Sequence, residues 1–236
     1  MSIRSKMSRD GRLLMNSLTI SLSMAFILFV IHILNIFSGW NLGVFGIRPR
    51  DTDFWFSIFT GQLIHGDFQH LLSNTIPLII CGTLLFWLYR PIAWTSFILL
   101  YVLTGLSVWI LARPVLHIGF SGVIYGLVSF LFWVGVFRRD FRSIIISLVI
   151  LVTYSGYFAG IYPNQEGISW ESHLLGGVVG IIVAFILFRW LPKEPEPEVL
   201  PEDEPEDQRY FLPRNTFQPK DDEFPDVSGW TSDDTR

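Results

Sequence analysis

The sequence predicts an all-α membrane protein, a bundle of six transmembrane helices with both termini in the cytoplasm. Three observations predict it. Half of the 236 residues are hydrophobic and nine are tryptophan, with a positive mean hydropathy of +0.44, a composition that suits lipid. Apolar runs of about 20 residues, the length that crosses a bilayer, recur along the chain. The basic residues between those runs fall mainly on one side of the membrane.

The first twelve residues are short and basic, and Leu13 to Phe37 then forms the first apolar run. That run is too long for the core of a signal peptide and no small-x-small cleavage site follows it, so it reads as a retained span. Ser38 to Asp53 is a loop with glycines, a proline and mixed charge. The further spans are Phe68 to Tyr89, Ala93 to Leu111, Gly122 to Phe137, Ser143 to Ile161 and Ser172 to Leu191. Tight turns at Arg90-Pro91 and at Arg138 to Arg142 join them, with a longer polar loop from Tyr162 to Trp170. With the N-terminus inside, ten Lys or Arg residues lie on the cytoplasmic side. Arg48, Arg50 and Arg113 alone lie outside, as the positive-inside rule requires. Trp40, Trp55, Trp87, Trp94, Trp109, Trp170 and Trp190 sit near span ends, where interfacial anchors belong.

The net charge of −4 divides unevenly: residues 1–192 carry a balance of +5 and residues 193–236 one of −9. The chain thus reads as a basic N-terminus (1–12), a helical domain (13–191) and an acidic, Pro-rich tail (192–236). The tail's composition cannot bury enough apolar surface to fold; it is expected to be a solvated cytoplasmic segment, and its scattered aromatics would suit contact with a cytoplasmic partner. The single Cys81 excludes an internal disulfide. No basic patch with interleaved aromatics marks a nucleic-acid surface, and no cofactor or metal is implied.

Polar residues inside spans are costly and usually face the bundle interior. Placed by depth, His65, His70 and Asn74 lie at the outer end of span 2, Ser121 at the outer end of span 4 and His173 at that of span 6. Gly119-Phe120-Ser121-Gly122 could by itself be a plain turn. In this company Ser121 is a candidate nucleophile and His173 its general base. His70 and Asn74 share a helix face at i, i+4. Together with the backbone N–H of Ser121 at a helix N-terminus, they could face a developing oxyanion. Gly122 and Gly126 on span 4, and Gly176 and Gly180 on span 6, would let those helices approach closely. His173 shares the stripe of Gly176 and Gly180, and Tyr125, one turn below Ser121, could pack under its ring. His117 and Gln69 could help line a small cavity open to the outside. Glu171 flanks His173 but points to another helix face, and Asp67 reads as a cap for span 2. A Ser–His dyad is therefore the leaner reading.

Three segments carry a family resemblance: His65-Gly-Asp-Phe-Gln-His70-Leu-Leu-Ser-Asn74, Gly119-Phe120-Ser121-Gly122 and His173-Leu-Leu-Gly176-Gly-Val-Val-Gly180. In this order, on spans 2, 4 and 6, the chain over residues 13–191 resembles a rhomboid intramembrane serine protease. The resemblance implies Ser121 as nucleophile and His173 as base. Asn74, His70 and the Ser121 N–H would form the oxyanion site, and Tyr125 would stack on His173. Gly119 would lie in the loop beside the site, and His65 would arrange the neighbouring loops. It also implies membrane-spanning protein substrates, cut near the outer membrane face where a helix is locally weak. The Trp-Arg pair that some members carry in the first loop is absent from Phe54-Trp55-Phe56-Ser57. The expected location is a cell membrane, the inner membrane of a bacterium, with the protein integral and multi-pass. Span 5, where small residues mix with aromatics from Tyr154 to Ile161, is expected to pack loosely and to gate the site.

Two other functions fit parts of the pattern. A catalytically inactive rhomboid relative would bind membrane helices without cutting them, and such proteins usually lack the serine or the histidine. A membrane metalloenzyme would use His65, His70, His117 and His173 as ligands, although carboxylate ligands are scarce and no His-Glu-x-x-His is present. His32 in span 1 has no partner visible in sequence and reads as a helix-packing residue or as one near the cavity.

Overall fold

A computed structural model describes residues 8–163 and 169–192, the side chain of Phe158 excepted. The acidic segment from residue 193 onward, and the expectation placed on it, lie outside the described residues. Among them the chain is helical, with one isolated antiparallel bridge between Ile47 and His117. Helix α1 spans Arg9–Phe37, α2 Phe68–Leu88, α3 Ala93–Leu111, α4 Ser121–Arg138, α5 Phe141–Thr153 and α6 Trp170–Leu187. Five helical segments are long and apolar enough to cross a membrane, and a sixth crossing is made if α5 is joined to the turns that follow it. The chain is an integral, multi-pass membrane protein.

Side-chain caps set three of the six helix starts. Ser8 caps α1 by accepting from the Gly11 N–H, and Asp10 sits in the first turn where the helix dipole favours an anion. The helix therefore begins at Arg9, four residues before the apolar run, because its first turn can be charged where it leaves the lipid. Asp67 caps α2 through the His70 N–H. Asp140 caps α5 through the Ser143 N–H while also pairing with Arg138.

Span 5 departs from expectation. Helix α5 stops at Thr153, and the 3-10 segment Ser155–Ile161 leaves it at 56°. The residues stay apolar across the break, so hydropathy does not reveal it. The helix that precedes the break is held against α4. On α4 a Cβ at Gly135 would collide with the Ser147 hydroxyl and the Ser143 carbonyl of α5, and the Ser147 hydroxyl donates to the Phe132 carbonyl at 2.7 Å.

Helix α4 is the centre of the bundle, with more than half of its span buried. Leu127, Phe130, Leu131 and Val134 face the core, alongside Leu78 from α2 and Val183 from α6. Phe26, Ile98, Leu148 and Phe185 point outward, as suits lipid. The closest helix contact is α4 on α6. A Cβ at Gly176 would collide with the Gly122 carbonyl oxygen, and one at Gly180 would lie 2.5 Å from the Gly126 carbonyl oxygen. The Ser129 hydroxyl donates across the same seam to the Gly177 carbonyl at 2.7 Å. These are backbone atoms on both sides, so relief requires moving a helix.

Gly177, one residue along α6, has open space where its Cβ would be. Gly176→Ala should therefore lower stability by about 1–3 kcal/mol, the usual cost of overpacking, while Gly177→Ala leaves it unchanged or raises it. Melting midpoints of the two variants in detergent check this; equal midpoints would show that the seam is not tight at Gly176.

Candidate active site

Helices α2, α4 and α6 all begin at the same end of the bundle, around an open cavity of about 1150 Å³. His70, Asn74, Ser121, Tyr125 and His173 all line it.

Ser121 is the first residue of α4, and the loop before it is fixed at several points. Gly119 has φ +105, where a side chain would be strained, and a Cβ there would also lie 2.5 Å from His70 Nε2. The Gly119 N–H donates to the Gly61 carbonyl at 3.1 Å. The Phe120 N–H donates to His65 Nε2 at 3.4 Å. Three residues before Phe120, His117 exchanges both backbone hydrogen bonds with Ile47, at 2.8 and 3.1 Å. The first loop, lacking the Trp-Arg pair, is tied to the end of α3 by Arg50, which donates to the carbonyls of Ile110 and Ala112 at 3.1 and 2.8 Å.

His173 lies in the first turn of α6, buried. Its Nε2 is 2.8 Å from Ser121 Oγ and its Nδ1 is 2.9 Å from the Gly160 carbonyl oxygen. A carbonyl can only accept, so Nδ1 carries the proton and Nε2 presents a lone pair to the serine. The Tyr125 ring stacks on the imidazole, centroids 4.1 Å apart and planes 7° from parallel. Its hydroxyl donates to the Tyr157 carbonyl at 2.8 Å. The bent segment after α5 thus supplies a partner to both rings, and Gly160 is needed where it stands: a Cβ would meet the Tyr125 hydroxyl.

Asn74 is buried, and its amide donates to the His70 carbonyl at 2.7 Å. That uses one N–H and leaves the second for the cavity. His65 stands behind His70, ring centroids 5.1 Å apart and nearly perpendicular. It does not line the cavity; it holds the loop at Phe120. Gly122 and Gly176 meet just below the Ser–His pair, while Gly126 and Gly180 meet one turn deeper. His32 is buried in α1, and neither ring nitrogen has a hydrogen-bond partner.

Glu171 does not reach His173. It forms a forked ion pair with Arg113, whose Nη2 lies 3.2 Å from Glu171 Oε2. His117 is also more than a cavity wall: its Nδ1 is 2.6 Å from Ser169 Oγ and its Nε2 3.0 Å from the Arg113 carbonyl. Gly160, Arg50 and this pair of ties were not singled out from the sequence, because each partner lies in a different loop.

Comparison with known proteins agrees with the fold. The Rhomboid domain family model matches residues 52–190, more than half of the chain. The chain belongs to the rhomboid family. An uncharacterised protein of Mycobacterium tuberculosis is 36% identical over 180 residues, covering 72% of this chain and 74% of its own. One of Mycobacterium leprae is 32% identical over 191 residues, covering 76% and 74%. A Bacillus subtilis protein carrying the name "Putative rhomboid protease YdcA" is 25% identical over 159 residues, covering 63% of this chain and 72% of its own.

In this rhomboid the environment of His65 has a consequence for acid stability. Burial, and after it the neighbouring His70, push its imidazole from an ordinary 6.5 down to about 3. Between those values the unfolded chain binds more protons than the folded one, so stability rises with pH there. The contribution is complete above about pH 6.5 and is lost as pH falls toward about 3. His65→Gln keeps an acceptor for the Phe120 N–H but does not titrate. Its melting midpoint in detergent should fall less than that of the wild type between about pH 7 and 4; parallel curves would contradict the assignment.

Proposed function

We propose that the chain is an intramembrane serine endopeptidase, a hydrolase of peptide bonds in membrane-spanning proteins. One observation carries the reading: His173 Nε2 lies 2.8 Å from Ser121 Oγ, with Nδ1 engaged by the Gly160 carbonyl. That arrangement leaves the base one task. His173 takes the Ser121 proton through Nε2 as Oγ attacks the scissile carbonyl carbon. The free N–H of Asn74, the His70 ring and the Ser121 backbone N–H surround the region where the oxyanion would form. The imidazolium then returns its proton to the leaving amine. A water deprotonated by the same nitrogen hydrolyses the acyl-serine and regenerates the hydroxyl. No carboxylate is required: the Gly160 carbonyl fixes the tautomer, as a buried aspartate does in a triad.

The open cavity lets water reach the serine at the end of the bundle. By the positive-inside reading that end faces away from Arg90, Arg138, Arg139 and Arg142, so cleavage is assigned to the outer membrane face. The bacterial relatives and the charge bias support a bacterial cell membrane. Substrates would be single-span or other transmembrane proteins, whose helix must open locally before its backbone can be cut. The broken span after α5 is the natural place for access between α2 and α5.

The geometry also weighs against the rivals. The histidines do not converge on one point: His173 engages Ser121, His117 engages Ser169, and His65 engages Phe120. A binding-only rhomboid has no use for a hydrogen-bonded Ser–His pair with a defined tautomer.

The test is cleavage of a purified single-span reporter protein in detergent. Ser121→Ala and His173→Ala should each lower kcat by about 10⁴-fold or more, with little change in KM. A fluorophosphonate should label the wild type at Ser121 and fail on Ser121→Ala. Cleavage persisting in either variant would overturn the dyad.

A further inference from the structure

We propose that His117 and Ser169 are positioning residues: a polar clasp that sets the register between the loop carrying the nucleophile and the helix carrying the base. The proposal rests on the dyad reading above. His117 precedes Ser121 by four residues, and Ser169 precedes His173 by four. The two segments are joined by two rungs at that common offset. His117 Nδ1 to Ser169 Oγ spans 2.6 Å, and Ser121 Oγ to His173 Nε2 spans 2.8 Å.

The protons in the outer rung can be assigned. His117 Nε2 faces the Arg113 carbonyl at 3.0 Å, so it carries the hydrogen and Nδ1 must accept. Ser169 therefore donates to His117, and its oxygen accepts from Ser172, 2.6 Å away. The result is a directed chain from Ser172 through Ser169 and His117 to the Arg113 carbonyl. Ser169 stands at the N-cap of α6, where a serine normally accepts from the backbone of the first turn. It makes no such cap bond; its hydroxyl is committed to His117 and Ser172. Arg113 reinforces the tie, since its guanidinium pairs with Glu171 while its carbonyl receives His117.

The clasp has work that the glycine seam cannot do. Gly122 against Gly176 and Gly126 against Gly180 bring α4 and α6 close, and the Ser129 bond to Gly177 ties them deeper in the seam; the clasp ties the two segments on the loop side of Ser121 and His173. A slip of about 1 Å in a reacting pair can cost about a hundredfold in rate. The His117 end of the clasp is fixed independently, because the residue is 2% exposed and its backbone is paired with Ile47.

The full chain in detergent tests this. Ser169→Ala should lower kcat for a single-span reporter by about 10- to 100-fold, leaving KM and the melting midpoint near wild type. Ser169→Thr, which keeps the hydroxyl, should restore kcat. His117→Phe should lose as much as Ser169→Ala, and the double variant should lose no more, as expected of two partners in one contact. Wild-type kcat in Ser169→Ala, failure of the threonine to rescue, or a loss that only tracks a lower melting midpoint would each overturn the clasp. Ring-nitrogen NMR of histidine-labelled protein separates this from the dyad reading. Ser169→Ala should move the His173 resonances whether or not the chain cleaves the reporter, and unmoved resonances refute the clasp. A wild type that shows the shift yet neither cleaves nor labels counts against the dyad reading alone.

Discussion

Everything at the mouth of the cavity depends on how closely α4 and α6 approach. Ser121 and His173 come from separate helices, 52 residues apart in sequence, and the hydrogen bond between them has no covalent support. Its length follows from the helix separation, which backbone atoms at Gly122, Gly126, Gly176 and Gly180 set. In lipid, helices gain nothing from hiding apolar surface from water, so van der Waals contact and interhelical hydrogen bonds must hold them. A glycine seam supplies the contact, and the Ser129 hydroxyl bonded to the Gly177 carbonyl supplies one such bond.

That seam also explains where polarity is tolerated. Polar groups in a span are costly unless satisfied, and those of the site are clustered at helix beginnings, where backbone N–H groups are unpaired and the loops offer carbonyls. His173 uses the Gly160 carbonyl, Asn74 that of His70, and Tyr125 that of Tyr157. Each uses main chain rather than another side chain. A network built on carbonyls fixes orientation without adding charge, which fits the absence, among the described residues, of a carboxylate beside His173.

The spans were legible because hydropathy over about 20 residues is a strong local signal. The Asp67 cap and the stripe of His173, Gly176 and Gly180 were legible for a similar reason, since both lie within one helix. The juxtaposition of Ser121 with His173 followed from depth and the glycines taken together. What stayed hidden was set by contacts between loops. The break after Thr153 leaves composition unchanged, so a hydropathy window runs through it. Glu171 was correctly placed off the His173 face, yet nothing in its neighbourhood named Arg113, 58 residues away. His117 looked like a cavity residue because its partner, Ser169, resembles an ordinary helix cap. The equal spacing of four residues on each side of the site was present in the sequence, but it gains meaning only when the segments are seen side by side.

In the proposed protease the broken span would link access to catalysis. Ser155–Ile161 leans over the site and provides the carbonyls that orient His173 and Tyr125. If a substrate helix enters between α2 and α5, this segment must yield, and the carbonyl that fixes the base's tautomer moves with it. Full opening and a correctly oriented base are then in conflict. The stacking of Tyr125 under the imidazole eases it, since the ring keeps its plane from a residue on α4, the most buried span of the bundle. The nucleophile and the stack share that central helix, so the segment can shift over a substrate while Ser121 and the plane of His173 stay in place. Only the hydrogen on Nδ1 then needs to find its carbonyl again as the segment settles onto the bound chain.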